Sequence, residues 1–252
     1  MQKNKTDFSA NALKLIAILA MTLDHLAWAF LPLNSYNAQI FHLLGRLAAP
    51  IMSFLIVEGY FHTRDVKKYA LRLALLAVVS HFSFQFFNSG HWPLEWKEGH
   101  LQFFPFEQSS VIFALLLSLI ALIIYRGGAE NTGDPYLLAL LCVLSLFGDW
   151  MFFVVLWVYY FAVYREDEGK RFRAFTLIAL SSFVLVNLSH LLSRRGLWWE
   201  QLYQIGVLLA WPLLKNYDQR LGGGGKTVKC LFYLYYPLHL ILIRSLVNLL
   251  SR

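Results

Sequence analysis

The chain has 252 residues, of which 58% are hydrophobic, 17% aromatic and 15% charged, with a formal charge of +7 and a mean hydropathy of +0.52. That balance is too apolar for a soluble domain of this length, and no stretch between the apolar runs is long enough to build one. The basic surplus falls in short turns between apolar segments, the pattern of a topology signal, and so sets aside a nucleic-acid partner.

Nine segments approach the roughly 20 residues that cross ~30 Å of hydrocarbon. They lie near 11–31, 39–61, 66–87, 109–125, 136–148, 149–164, 172–192, 198–214 and 227–249. The fifth is short, so 136–164 reads either as two crossings or as a broken, re-entrant pair, and eight to ten spans fit the pattern. The predicted fold is all-α, a polytopic transmembrane helix bundle of about nine spans, with 1–252 forming a single integral membrane domain. The first run holds "MTLDHLAWAF" and lacks a small-residue cleavage site, so it reads as a retained span. Cys142 and Cys230 both lie in apolar runs, which argues against a disulfide framework or a zinc site, and no metal is expected.

With the N-terminus placed inside, the tail and the segments "HTRDVKKYALR", "RGGAENTGD", "REDEGKRFR" and "KNYDQRLGGGGKTVK" carry fifteen Lys and Arg residues on one side. The opposite loops carry Lys97, Arg194 and Arg195. This asymmetry predicts a cytoplasmic N-terminus. The longest loop, "NSGHWPLEWKEGHLQFFPFEQ", then faces outward, where Trp92, Trp96, Phe103, Phe104 and Phe106 suit an interfacial aromatic layer or a lid.

Asp24 and His25 stand in the middle of the first span, where an ionised group costs at least ~2.5–3.5 kcal/mol on insertion scales. Counting ~1.5 Å per residue, His25 lies ~21 Å from the inner end of its span, Arg46 ~12 Å from the outer end of the second, and His239 ~20 Å from the inner end of the last. Three helices thus place an ionisable group at one depth, which predicts that these groups face one another or an internal cavity. Asp24 is positioned either to orient His25 or to neutralise Arg46. Any one of these histidines alone would read as a packed, hydrogen-bonded residue; the layer as a set reads as a site.

Lys14 precedes His25 by eleven residues, close to a whole number of helical turns, so the two share a face ~16 Å apart. A ligand with an anionic head and a long arm would reach both, although Lys14 alone would serve as a snorkelling anchor. Further cations at the inner surface, Arg64, Lys67, Lys68 and Arg72 around the start of the third span and Lys226 and Lys229 after Gly222–Gly225, offer anion contacts. The glycine run lacks P-loop spacing and equally suits a flexible turn.

Three stretches, "LKLIAILAMTLDHLAWAF", "LLGRLAAPIMSFLIVEGYFHTRDVKKYALRL" and "GGGGKTVKCLFYLYYPLHLIL", in this order and with these intervals, resemble the TraX family of membrane acetyltransferases, whose named member acetylates the N-terminus of conjugative pilin. The family is similar to wider transmembrane acyltransferases in which a basic or polar residue lies eleven positions before a catalytic histidine. By that resemblance His25 is the catalytic residue, Lys14 acts on the donor side, Asp24, Arg46 and His239 complete the site, and acetyl-CoA is the donor. It also implies a multi-pass protein of the bacterial cytoplasmic membrane. Residues 88–165 depart from the family pattern, with "QSSVIFALLLSL" and "GDWMFFVVL" where Asn-containing and Tyr-Gly-rich stretches are common. The acceptor therefore stays open among a pilin-like protein, a glycan and a lipid.

A neutral His25 would take a proton from the attacking amine or hydroxyl, either in direct transfer or through an acetyl-histidine. Buried Asp, His and Arg also make proton relays, so a proton-coupled transporter is the alternative, and a nonenzymatic assembly factor a third reading.

Overall fold

A computed structural model describes residues 7–92, 94–97, 100–103, 108–127, 134–194, 196–223 and 225–251. In chain order it contains α1 (Ala10–Phe30), α2 (Tyr36–Gly45), α3 (Ala48–His62), α4 (Val66–Ser89), β1 (Leu94–Lys97), β2 (His100–Phe103), α5 (Val111–Gly127), α6 (Pro135–Leu144), α7 (Met151–Val163), α8 (Glu168–Ser193), α9 (Ala210–Lys215) and α10 (Gly225–Leu250). Turns of 3₁₀ helix at Ser145–Phe147 and Leu202–Leu209 extend α6 and precede α9.

The helices begin where side chains satisfy the first free backbone donors. Ser9 Oγ accepts from the Ala12 amide, Ser35 Oγ from Ala38, and the Asp65 and Asp167 carboxylates from Lys68 and Lys170. Asp134 caps α6 with Pro135 in its first turn, where a missing N–H costs nothing.

Five of these segments are long and apolar enough to cross a membrane: Ala10–Phe30, Tyr36–His62, Val66–Ser89, Glu168–Ser193 and Cys230–Leu250. The outward faces of α4 (Leu71, Leu75, Val78) and α8 (Leu177, Val184, Leu188) are exposed and apolar. A water-soluble surface would not carry such stripes; a lipid-facing one does. The protein is a polytopic helical membrane protein. The expected fourth, fifth, sixth and eighth spans fall on the shorter apolar helices Val111–Gly127, Pro135–Phe147, Met151–Val163 and Leu202–Lys215, so length alone does not make them crossings.

Three local departures from the sequence reading have physical causes. The second span is not continuous: α2 ends at Gly45 and α3 begins at Ala48, because Pro50 has no N–H for the Arg46 carbonyl and is tolerated only in a first turn. The eighth segment is 3₁₀ over Leu202–Leu209 and α-helical over Ala210–Lys215, with Pro212 in the first turn of that helix, where a missing N–H is tolerated. The long loop, for which no strands were expected, contains an antiparallel hairpin with Leu94 opposite Phe103 and Lys97 opposite His100. Of its aromatic residues, Trp92 stacks on Phe86 with centroids 4.5 Å apart. Phe104 and Phe106, and the side chains of Trp96 and Phe103, lie outside the described residues.

The chain groups into two compact units, Met1–Glu58 with Leu156–Lys226 and Gly59–Val155 with Thr227–Arg252. In the first, α1 buries a stripe of Leu13, Ala17, Ala20, Asp24 and Ala27 at alternating three- and four-residue spacing, while Leu15 and Leu19 face outward. Its aromatic core joins Trp157, Phe161, Phe175 and Trp211, with Phe161 and Phe175 stacked at 6.1 Å. The segment after α9 is laced to the start of α1: the Ala10 amide donates to Arg220, Asn11 to Leu221, and the Asn11 side chain to Gly223. In the second unit Leu117 and Ala121 of α5 pack with Leu141 and Val155. The turn between α6 and α7 is held by the Ser109 amide donating to Phe147 and the Asp149 amide donating to Ser109.

Candidate functional site

The polar set of the first unit is assembled by α1, α2 and the 3₁₀ turn Leu202–Leu209, with α2 packed against both its chain neighbour α1 and the sequence-distant turn. Asp24 on α1 is 8% exposed, and its carboxylate meets two donors from the end of α2. Arg46 Nη2 lies 2.5 Å from Oδ2, and His42 Nδ1 lies 2.8 Å from Oδ1. His42 and Arg46 are four residues apart, hence on one helical face, and Arg46 Nε also donates to the His42 carbonyl at 3.4 Å.

Two glycines permit the approach. A Cβ on Gly45 would fall 2.6 Å from both Cγ and Oδ1 of Asp24, so only a residue without a side chain lets the carboxylate reach its donors. A Cβ on Gly206 would strike the Leu43 carbonyl, which lets the 3₁₀ turn lie against α2. That turn supplies Tyr203, whose ring lies 4.9 Å from the His42 ring and 5.2 Å from the Arg46 guanidinium. Trp28 of α1 lies on His42 at 4.6 Å.

This geometry fixes protons. A carboxylate engaged by a guanidinium only accepts, so Nδ1 of His42 carries the hydrogen and donates it. In the neutral ring Nε2 then holds the lone pair. His42 is 0% exposed and its Nε2 has no hydrogen-bond partner among the described residues, an arrangement that ordinarily costs about 1–3 kcal/mol. An aspartate that sets the tautomer of an imidazole whose other nitrogen can take a proton is the arrangement used for acid–base chemistry on many folds.

His25 follows Asp24 on α1, is buried, and lies within electrostatic reach of its carboxylate. Asp24 spends its hydrogen bonds on Arg46, one of its two expected roles, and on His42. Lys14, half-buried, occupies the same unbroken helix as His25, so their ~16 Å separation holds.

His239 belongs to the second unit. It is buried on α10, donates Nδ1–H to the Tyr235 carbonyl at 3.0 Å, and stacks on the Tyr235 ring at 5.1 Å. Arg64, Lys67 and Lys68 are exposed at the start of α4, where Lys68 pairs with Asp65 at 3.1 Å. Lys226 and Lys229 lie in the first turns of α10; their side chains fall outside the described residues. Among the described residues no group of three or more His, Cys, Asp or Glu side chains could hold a metal ion.

The profile of a family described as TraX protein matches residues 9–247. The chain belongs to the TraX family. A relative from Dichelobacter nodosus, described as "Probable fimbrial assembly protein FimC, serogroup H1", is 33% identical over 245 residues, which cover 95% of this chain and 96% of the relative. No solved structure matches the chain.

In this TraX chain the residue missed by sequence reasoning is His42, along with Tyr203 and Trp28 around it. Its signal was present: a histidine four positions before a buried arginine shares that arginine's face and therefore its carboxylate.

Proposed function

We propose that this TraX-family chain is an acetyltransferase of the bacterial cytoplasmic membrane. It moves an acetyl group from cytoplasmic acetyl-CoA to an amine or hydroxyl at the membrane or its outer face, with its own N-terminus in the cytoplasm. The observation that carries the reading is the buried Asp24 carboxylate, held by Arg46 and His42 one residue before His25. The family's resemblance to transmembrane acyltransferases supplies the donor, and the fimbrial name of the relative favours a pilin-like acceptor over a glycan or lipid.

In the proposed step, neutral His25 accepts a proton from the attacking amine or hydroxyl while the lone pair on that acceptor's nitrogen or oxygen forms a bond to the thioester carbonyl carbon. The C–S bond then breaks and CoA leaves as the thiolate, which takes up the proton. General-base assistance of this kind contributes about 10²–10⁴ in rate. Lys14 holds the anionic end of the donor near the inner surface, one ~16 Å helical interval from His25. Asp24 and Arg46 set the field around the imidazole.

The test is release of free CoA from acetyl-CoA by purified protein in nanodiscs, with His25→Ala, Lys14→Ala and His239→Ala alongside. Release that disappears in His25→Ala supports the reading. Protein that neither binds nor consumes acetyl-CoA overturns it and favours the proton-coupled transporter.

A further inference from the structure

Within the acetyltransferase reading, on which this step rests, His42 has no assigned part. Yet it is fully buried, clamped between Trp28 and Tyr203, and hydrogen-bonded at one nitrogen only among the described residues. A histidine kept solely for packing would be replaceable by an apolar ring of similar size. This one instead sits behind Gly45, a residue whose absent side chain is what brings Asp24 within reach.

We infer that His42 is a positioning residue: its Nδ1–H fixes the Asp24 carboxylate between α1 and α2, one residue before His25. With Nε2 unprotonated, Asp24 and Arg46 form a neutral pair beside His25. The titratable and charged groups against His42 are Asp24 from α1, Arg46 at the end of its own helix, and Tyr203 from the 3₁₀ turn, with His25 within electrostatic reach of the same carboxylate. No bond of the substrate is made or broken by His42; it acts through Asp24.

Two variants separate the nitrogens. His42→Asn places an amide N–H near the Nδ1 position and has nothing at Nε2; His42→Phe keeps a ring and removes both. The expected result is a kcat for His42→Asn within about threefold of the parent, because the amide N–H still reaches Asp24. His42→Phe loses about 10²-fold in kcat, the size of effect a misplaced catalytic group produces, with the KM for acetyl-CoA little changed. A parent-like kcat in His42→Phe, or a loss in His42→Asn as large as that in His42→Phe, overturns the inference.

Nitrogen-15 histidine spectra of the protein in nanodiscs test the same point without turnover. They are expected to show His42 protonated at Nδ1 at neutral pH, with that signal shifted in Asp24→Asn. A His42 protonated at Nε2 alone contradicts the inference. Failure of acetyl transfer in the parent, with the Nδ1–H tautomer observed, would sink the acetyltransferase reading and leave the dyad standing.

Discussion

His42 Nδ1 and Asp24 Oδ1 lie 2.8 Å apart although eighteen positions separate them in sequence. The connection between α1 and α2 turns the chain back so that the C-terminal half of α1 faces the end of α2. Arg46 joins the same carboxylate from one turn further along. A charge that would be costly alone in a membrane helix is thereby compensated by two donors, and His25 inherits a structured neighbour.

Gly45→Ala should break this arrangement, because the added methyl carbon overlaps the Asp24 side chain. The expected cost is about 1–3 kcal/mol of stability, as for other overpacked sites, together with loss of activity. Gly127→Ala, where an added Cβ meets nothing within 4 Å, should stay within about 0.5 kcal/mol. Thermal unfolding in detergent checks both, and equal melting temperatures for the two variants would contradict the packing argument.

Asp24→Asn leaves the Arg46 guanidinium buried without its counter-charge and should destabilise by about 3–5 kcal/mol. Adding Arg46→Met should recover part of that loss. A double-mutant cycle measures the coupling, expected at about 0.5–3 kcal/mol. Strict additivity would show that the pair does not act as a unit.

The caps of α4 and α8 predict a pH dependence. Asp65 is held below the usual carboxylate range first by the Lys68 amide and then by the Lys68 ammonium; Asp167 is held down first by the Lys170 amide. A carboxyl depressed in the folded state stabilises above its unfolded pKa, and that contribution is lost as pH falls through the folded value. The melting-temperature gap between the parent and the double variant Asp65→Asn, Asp167→Asn should be constant down to about pH 4 and close below it. A gap that persists in stronger acid would assign the effect to something other than the ionised carboxylates.

Lys14→Ala should raise the KM for acetyl-CoA about tenfold, one charged contact's worth, and leave kcat nearly unchanged, because Lys14 acts on a part of the donor remote from the thioester. An equal fall in kcat and kcat/KM would place Lys14 at the reacting centre instead.

Much of this organisation is legible in the sequence. The first apolar run, read as 11–31, predicts α1 to within a residue at each end, and of the two roles expected for Asp24 the pairing with Arg46 is present. Three things were not read, for different reasons. The break at Arg46–Leu47 is signalled by Pro50 but hidden by uninterrupted hydropathy on both sides. The hairpin strands are four residues each, too short for a period of two to stand out. His42 was passed over because depth along a span says nothing about direction around it; only the four-residue interval to Arg46 carries that information.

The most direct measurement follows the acetyl group itself. Membranes containing the protein, or the H25A variant, are incubated with acetyl-CoA labelled in the acetyl carbon, and the protein, glycan and lipid fractions are analysed by mass spectrometry. The account predicts label on an amine or hydroxyl in one fraction with the parent protein, foremost the N-terminus of a pilin-like protein, and none with H25A. Equal labelling by both proteins, or none by the parent while acetyl-CoA is present in excess, would contradict it.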